Sequence, residues 1–269
     1  MDILHHAEMI AVEAANAAGQ YIKSRFNHKN HVSEKDDYGD VVTEVDLKAE
    51  EMIINRIRKV FPNHQIYSEE MGCIGEEGDW EWHIDPLDGT NNFVIGMPLF
   101  SVSIGLMYKK QCVFAVIYEP MTEQVYTSSI GKGTRCNGEV ITMQNKVKEI
   151  YKSTVGWIQG HGVQNEHDAV KFKHYLDVKY KRMIRLWAPT LQWCMLAKGD
   201  IEAIYVYRSE GEDLYSGMLM AKEAGAVIMD FQGNVYEGGM ITTPYLIACH
   251  EDYKDHFLSE VKNAGLSMR

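Results

Sequence analysis

The chain has 269 residues, 45% of them hydrophobic and 24% charged, which excludes a disordered or fibrous protein and leaves length enough for a sizeable core. A formal net charge of −11 argues against a nucleic-acid surface, and no run approaches the ~18 apolar residues of a membrane span. The start, Met1-Asp2-Ile3-Leu4-His5-His6, lacks a basic-then-apolar leader pattern, and the five cysteines form no CxxC pair, so reduced thiols and a cytoplasmic location are expected.

Residues 3–26 read as an amphipathic helix, with Ile3, Ala7, Ile10, Ala11, Ala14, Ala18 and Ile22 on one side. Residues 27–39 are polar and read as a mobile loop. The stretch Gly39-Asp40-Val41-Val42-Thr43-Glu44-Val45-Asp46 opens a helix with Asp46 as N-cap and an apolar stripe of Leu47, Ile53, Ile54, Ile57 and Val60. Gln65 to Ser68 is a strand ending at Glu69-Glu70, and Trp82-His83-Ile84 is a buried strand. Leu99 to Met107, Cys112 to Tyr118 and Gln124 to Ser128 form an antiparallel meander, followed by a Gly131-Lys132-Gly133 turn and an Asn137-Gly138 hairpin. Residues 145–155 read as a crossing. Beyond it, strands at Met183-Ile184-Arg185, Glu202 to Tyr207, Ala226 to Met229 and Tyr245 to Ala248 alternate with helices at about 167–177, 189–198, 213–224 and 252–264, a βα layered pattern. Residues 1–150 and 151–269 are thus two halves of one compact unit.

The most informative segment is Asp85-Pro86-Leu87-Asp88-Gly89-Thr90. Two carboxylates followed by a glycine and a hydroxyl suit a hard cation beside a phosphate, because Mg²⁺ prefers carboxylate oxygens and substrate phosphate. Gly89 permits close backbone approach to an anion, and a helical turn opening at Thr90 presents free N–H groups. Two unit charges at ~4 Å repel by about 4 kcal/mol at an effective dielectric of 20, so clustered acids call for bound cations or protons.

Taken together, Asp40 through Asp46, Ser68-Glu69-Glu70, Trp82 through Phe93, and Glu212-Asp213 with Ser216-Gly217 resemble the motifs of the inositol monophosphatase family, in order and spacing across nearly the whole chain. The resemblance implies a layered αβαβα sandwich of the inositol monophosphatase and fructose-1,6-bisphosphatase type, two to three Mg²⁺ ions, lithium sensitivity, a homodimer and a small phosphorylated substrate. It assigns metal binding to Glu69, Asp85, the Leu87 carbonyl, Asp88 and Asp213, and water activation to Glu69 and Thr90 with Asp46 and Thr43 in support. Gly89 and Thr90 meet the phosphate, and Lys35 lies near the metals on a closing loop.

The substrate wall departs from that pattern. Trp187-Ala188-Pro189-Thr190 stands where relatives carry Gly-Ser/Thr-Ala-Ala, which makes Pro189 a substrate-wall position. Val206 replaces a glutamate that contacts inositol hydroxyls, and Glu212 replaces a tryptophan. Val206 cannot accept a hydroxyl hydrogen bond, so polyols are discriminated less well. Inositol monophosphate is therefore the family default, with fructose 1,6-bisphosphate, a nucleotide 2′- or 3′-phosphate such as that of NADP, and a catalytically silent metal- and phosphate-binding regulator as alternatives. Trp187 either packs or stacks on a substrate ring.

Overall fold

A column of small residues lets the first helix, α1 (Ile3–Arg25), lie close to a sheet. Ala7, Ala11, Ala14, Ala18 and Ile22 are buried and recur every three or four residues, so they share one face. Gly19 belongs to that face; a Cβ there would stand 2.3 Å from Cδ1 of Tyr118. Ile3, expected on the same side, is 40% exposed, because the buried face begins only at Ala7. The computed structural model describes residues 3–35, 39–144, 149–209, 211–241 and 245–266, without the side chains of His161, Glu212 and Asp213.

The expected loop at 27–39 contains a short strand, β1 (Val32–Glu34), paired antiparallel with β2 (Val41–Thr43). All three β1 residues are exposed, so no alternation of burial announced it; residues 36–38 of that loop lie outside the described residues. Helix α2 (Glu44–Val60) is capped by Thr43, not Asp46. Asp46 occupies the third helical position and returns a bond to the Thr43 N–H at 2.9 Å, completing a capping box. The helix therefore starts earlier than the apolar stripe suggested. Its buried face runs through Val45, Asp46, Ala49, Glu50, Ile53 and Ile57, while Leu47 is 51% exposed.

Strands β3 (Gln65–Ser68), β4 (Gly72–Ile74), β5 (Trp80–Asp88), β6 (Ser101–Tyr108), β7 (Gln111–Glu119), β8 (Gln124–Ser129), β9 (Gly133–Cys136) and β10 (Glu139–Ile141) form an eight-stranded sheet. Its order is β10-β9-β8-β7-β6-β5-β3-β4, antiparallel except for the parallel pair β3–β5. The expected meander is β6–β7–β8. A short helix, α3 (Thr90–Val94), follows β5.

The second sheet has the order β12-β11-β13-β15-β14, built from β11 (Thr154–Gln159), β12 (Arg182–Ile184), β13 (Ala203–Tyr207), β14 (Ala226–Asp230) and β15 (Tyr245–His250). Strand β11 pairs parallel with β12 and β13, and the other pairs are antiparallel. β11 overlaps the end of the segment read as a crossing, whose residues 145–148 lie outside the described residues. Gly156 in its middle disguised it. The neighbours of Gly156 approach closely, since a Cβ would meet Gln192 Oε1 at 2.9 Å and Ile204 Cγ1 at 3.1 Å. Helices α4 (His167–Lys179), α5 (Pro189–Lys198), α6 (Glu212–Glu223) and α7 (Lys254–Asn263) fall where the sequence pattern placed them.

The layers follow from which side chains meet. Helices α1 and α2 pack with Trp82, Ile84, Val102, Ile104 and Leu106 on one face of the larger sheet. Helix α6 covers the opposite face of β5 to β9, lies against α5, and also packs on β14. The far face of the smaller sheet is covered by α4 and α7 through Phe172, Leu176, Phe257 and Val261. The order helix, sheet, helix, sheet, helix is the mixed α/β sandwich expected. Strand alternation divides β13 accordingly: Ala203, Tyr205 and Tyr207 join α4 and α7, whereas Ile204 and Val206 face α5 and α6.

Candidate active site

A bulge in β5 brings two acids to one side of the sheet. Residues three apart on a regular strand point to opposite faces. Here Asp85 opposes Ser103 and Asp88 opposes Ser101, so β5 carries one residue more than its partner. Asp85 and Asp88 consequently line the same cavity of about 790 Å³, which Ser68, Glu69, Gly89 and Thr90 also border.

Both carboxylates are buried, Asp85 at 7% and Asp88 at 4% exposure. Asp85 Oδ1 accepts from the Leu87 N–H at 3.0 Å. Asp88 Oδ2 accepts from the Thr190 N–H at 2.9 Å, from the Thr190 hydroxyl, and from Ser101 Oγ at 3.4 Å. Burial pushes the Asp88 carboxyl up to about 7; the Thr190 bonds oppose that shift and the Glu69 charge adds to it.

Behind the acids runs a chain of hydroxyls. The Thr90 hydroxyl lies 2.8 Å from Asp46 Oδ1 and 2.9 Å from the Leu87 carbonyl, which share its one proton. Asp46 also accepts from the Thr43 N–H and hydroxyl. Burial raises its carboxyl to about 6 against the pull of those bonds. Gly89 has φ +96, and a Cβ there would stand 2.9 Å from the Leu99 carbonyl oxygen, so glycine is needed on both counts.

Glu69 is 34% exposed and bonds Lys35 Nζ at 2.8 Å; Lys35 also pairs with Glu70 and lies 3.9 Å from Asp40. Burial alone would lower the Lys35 pKa, but Glu69 and Glu70 together raise it. Among the described residues no three acidic, histidine or cysteine side chains converge to hold a metal. The donor chemistry nevertheless fits a hard divalent cation: Asp85, Asp88 and the Leu87 carbonyl offer oxygens at a buried corner where burial disfavours the charged form of Asp88. Glu69 would join that set by exchanging Lys35 for the cation. Asp213 is the second residue of α6, but its side chain lies outside the described residues.

Several supporting residues escaped the sequence reading. Glu50 Oε1 accepts from the Ser68 hydroxyl, the Glu70 N–H at 3.0 Å and the Met71 N–H at 3.2 Å, holding the turn that carries Glu69. Its position four residues after Asp46, a polar residue on a buried helical face, was the available signal. Ser101 and Thr190 orient Asp88, and no local pattern marks them.

A model of the inositol monophosphatase family matches residues 4–266. The chain belongs to the inositol monophosphatase family. Among its relatives, the "Nus factor SuhB" of Pseudomonas aeruginosa is 33% identical over 237 residues, covering 84% of this chain and 85% of the relative. "Inositol monophosphatase 1" of Solanum lycopersicum is 32% identical, covering 94% and 93%. The crystal structure of the extragenic suppressor protein SuhB from Bartonella henselae superposes with a TM-score of 0.87 at 26% identity, covering 96% of this chain and 98% of that one.

This inositol monophosphatase family member is thus of a phosphatase family. Among its described residues no helix is long and apolar enough to cross a membrane. Its substrate wall departs from expectation at one place: Val206 is fully buried among Ile158, Leu196 and Leu246 and does not border the cavity. The position lies on the face of β13 that meets α5 and α6. Pro189 does border the cavity, at the first position of α5. Trp187 also borders it and is only half-buried, so it is not simply core packing.

Proposed function

We propose that the chain is a Mg²⁺-dependent phosphomonoesterase that hydrolyses a small soluble phosphate with an activated water molecule. The supporting observation is the bulge-aligned pair Asp85 and Asp88 facing one cavity, with the Thr90–Asp46 contact directly behind. In this reading Glu69, Asp85, the Leu87 carbonyl, Asp88 and Asp213 hold two to three ions. Such ions lower the pKa of a bound water and neutralise charge on the transferring phosphoryl group. The N–H groups of Gly89 and Thr90 hold the phosphate. The Thr90 oxygen accepts a hydrogen bond from the attacking water and its own proton is drawn toward Asp46 Oδ1, with Thr43 steadying that carboxylate. The water oxygen bonds to phosphorus, the ester P–O bond breaks, and the leaving oxygen takes a proton from solvent. A homodimer, lithium sensitivity and a cytoplasmic location belong to the same reading.

Inositol monophosphate is the family default, but the burial of Val206 leaves no acceptor for a polyol hydroxyl at that position, so other small phosphates stand beside it. Fructose 1,6-bisphosphate and nucleotide 2′- or 3′-phosphates such as that of NADP are the alternatives. The relative named a Nus factor supports the alternative of a silent regulator. A panel of phosphomonoesters assayed with Mg²⁺, with Li⁺ and with chelator separates these readings. The expected result is Mg²⁺-dependent phosphate release that Asp88→Asn abolishes without loss of fold. Turnover undiminished by chelator, or full activity of Asp88→Asn, would exclude the proposal.

A further inference from the structure

The cavity wall supplied by the smaller sheet carries one cation, Arg185, that no carboxylate pairs with among the described residues. Arg185 and Arg208 both border it, with Trp157, Gln159 and Trp187. Arg208 is paired with Glu166. Arg185 is not: its Nη2 is buried and finds no hydrogen-bond partner among the described residues. Burial pushes its pKa down. Its guanidinium carbon lies 3.8 Å from the centroid of the Trp187 ring, a cation–π contact that holds the group at the cavity wall. Trp187 holds this place with φ +54, an uncommon backbone conformation for so large a residue.

A second cation stands behind Gln159, which borders the cavity. Lys173 on α4 is half-buried, donates to Gln159 Oε1 at 3.1 Å, and has its pKa lowered by burial and then by the charge of Arg185. Gln159 Oε1 also accepts from Trp157 Nε1 at 2.8 Å, which fixes the amide between the two. Two mutually repelling cations, one with a buried unpartnered donor, are costly unless an anion completes them.

We propose that Arg185 and Lys173 form a receptor for a second anionic group of the substrate, phosphate or carboxylate, distinct from the phosphate held at Asp85 to Thr90. The inference rests on the phosphatase reading and narrows it to small phosphate esters that carry another anion. Arg185 supplies a bidentate fork, Lys173 a point charge, and Trp187 the platform that presents the fork.

The test uses paired probes: fructose 1,6-bisphosphate against fructose 6-phosphate for a second phosphate, and 3-phosphoglycerate against glycerol 3-phosphate for a carboxylate. The full chain should favour at least one doubly anionic member by about tenfold or more in kcat/KM, the size expected of a charge-assisted contact. Arg185→Gln should bring that ratio close to one, Arg185→Lys should restore part of it, and Lys173→Gln should lower it severalfold. An unchanged ratio in both Arg185→Gln and Lys173→Gln, with melting temperatures near that of the parent, would overturn the proposal. Calorimetric binding of the same probes in chelator needs no turnover. Discrimination there without hydrolysis under any condition would keep the receptor and discard the phosphatase reading. Mg²⁺-dependent hydrolysis without discrimination would discard the receptor alone.

Discussion

Thr90 Oγ1 stands 2.8 Å from Asp46 Oδ1, joining the turn after β5 to the first turn of α2 across 44 residues of chain. The contact sets the direction of the Thr90 lone pairs and hence of any water they receive. Thr90→Val keeps the shape and removes the hydroxyl. It should lower kcat by about 10²- to 10³-fold, the range of a lost positioned proton acceptor or donor, while Thr90→Ser keeps most of the activity. Phosphate-release rates measured beside melting temperatures check this; equal rates for the two variants would refute the role.

The Asp46 carboxyl also gives a pH signature. Its pKa rises from 3.8 to about 6 on folding, so the native state binds more protons than the unfolded chain between those values. Stability from this group is complete below about 4 and is lost as pH rises through 6. In chelator, the melting temperature of the parent relative to Asp46→Asn should therefore fall from pH 4 to pH 6.5 and level off above. A flat difference across that range would contradict the assignment.

Lys35 pairs with Glu69 and Glu70, so on the proposed reading it would compete with a metal for Glu69. Replacing it with Met should tighten Mg²⁺ binding by the substrate-free protein about two- to fivefold, the worth of a partly exposed ion pair. Isothermal calorimetry reads this directly. Weaker binding would mean that Lys35 organises the site and does not compete for it.

Glu50 is fully buried, with Oε2 lacking a partner among the described residues. Glu50→Ala strands one hydroxyl and two N–H donors and should cost about 3 kcal/mol of stability. Glu50→Gln retains the acceptor and should recover most of it. Urea unfolding gives both values, and metal affinity measured on the same samples should fall with Glu50→Ala because the turn bearing Glu69 loosens.

The legible parts of this site were those contiguous in the chain. Asp85 through Thr90 carries two acids, a left-handed glycine and a helix start within six residues, and the structure keeps all four features together. Helices α4 to α6 were visible because their apolar spacing and flanking Pro189 and Gly225 are local. Glu50 was hidden because its partners lie 18 to 21 residues away. Thr43 and Asp46 exchanged roles because both are good caps and only the backbone decides between them. That Arg185 Nη2 finds no partner among the described residues is a tertiary fact with no sequence counterpart, and Gly156, closely approached by Gln192 and Ile204, interrupted the hydrophobic pattern of β11.

The extra residue between Asp85 and Asp88 makes the irregularity of pairing itself a determinant. A strand that carried the same four residues without the bulge would turn one acid through the sheet toward the α1 and α2 layer, into apolar surroundings. A change elsewhere that regularised β5 would therefore dismantle the site while leaving every acid in the chain.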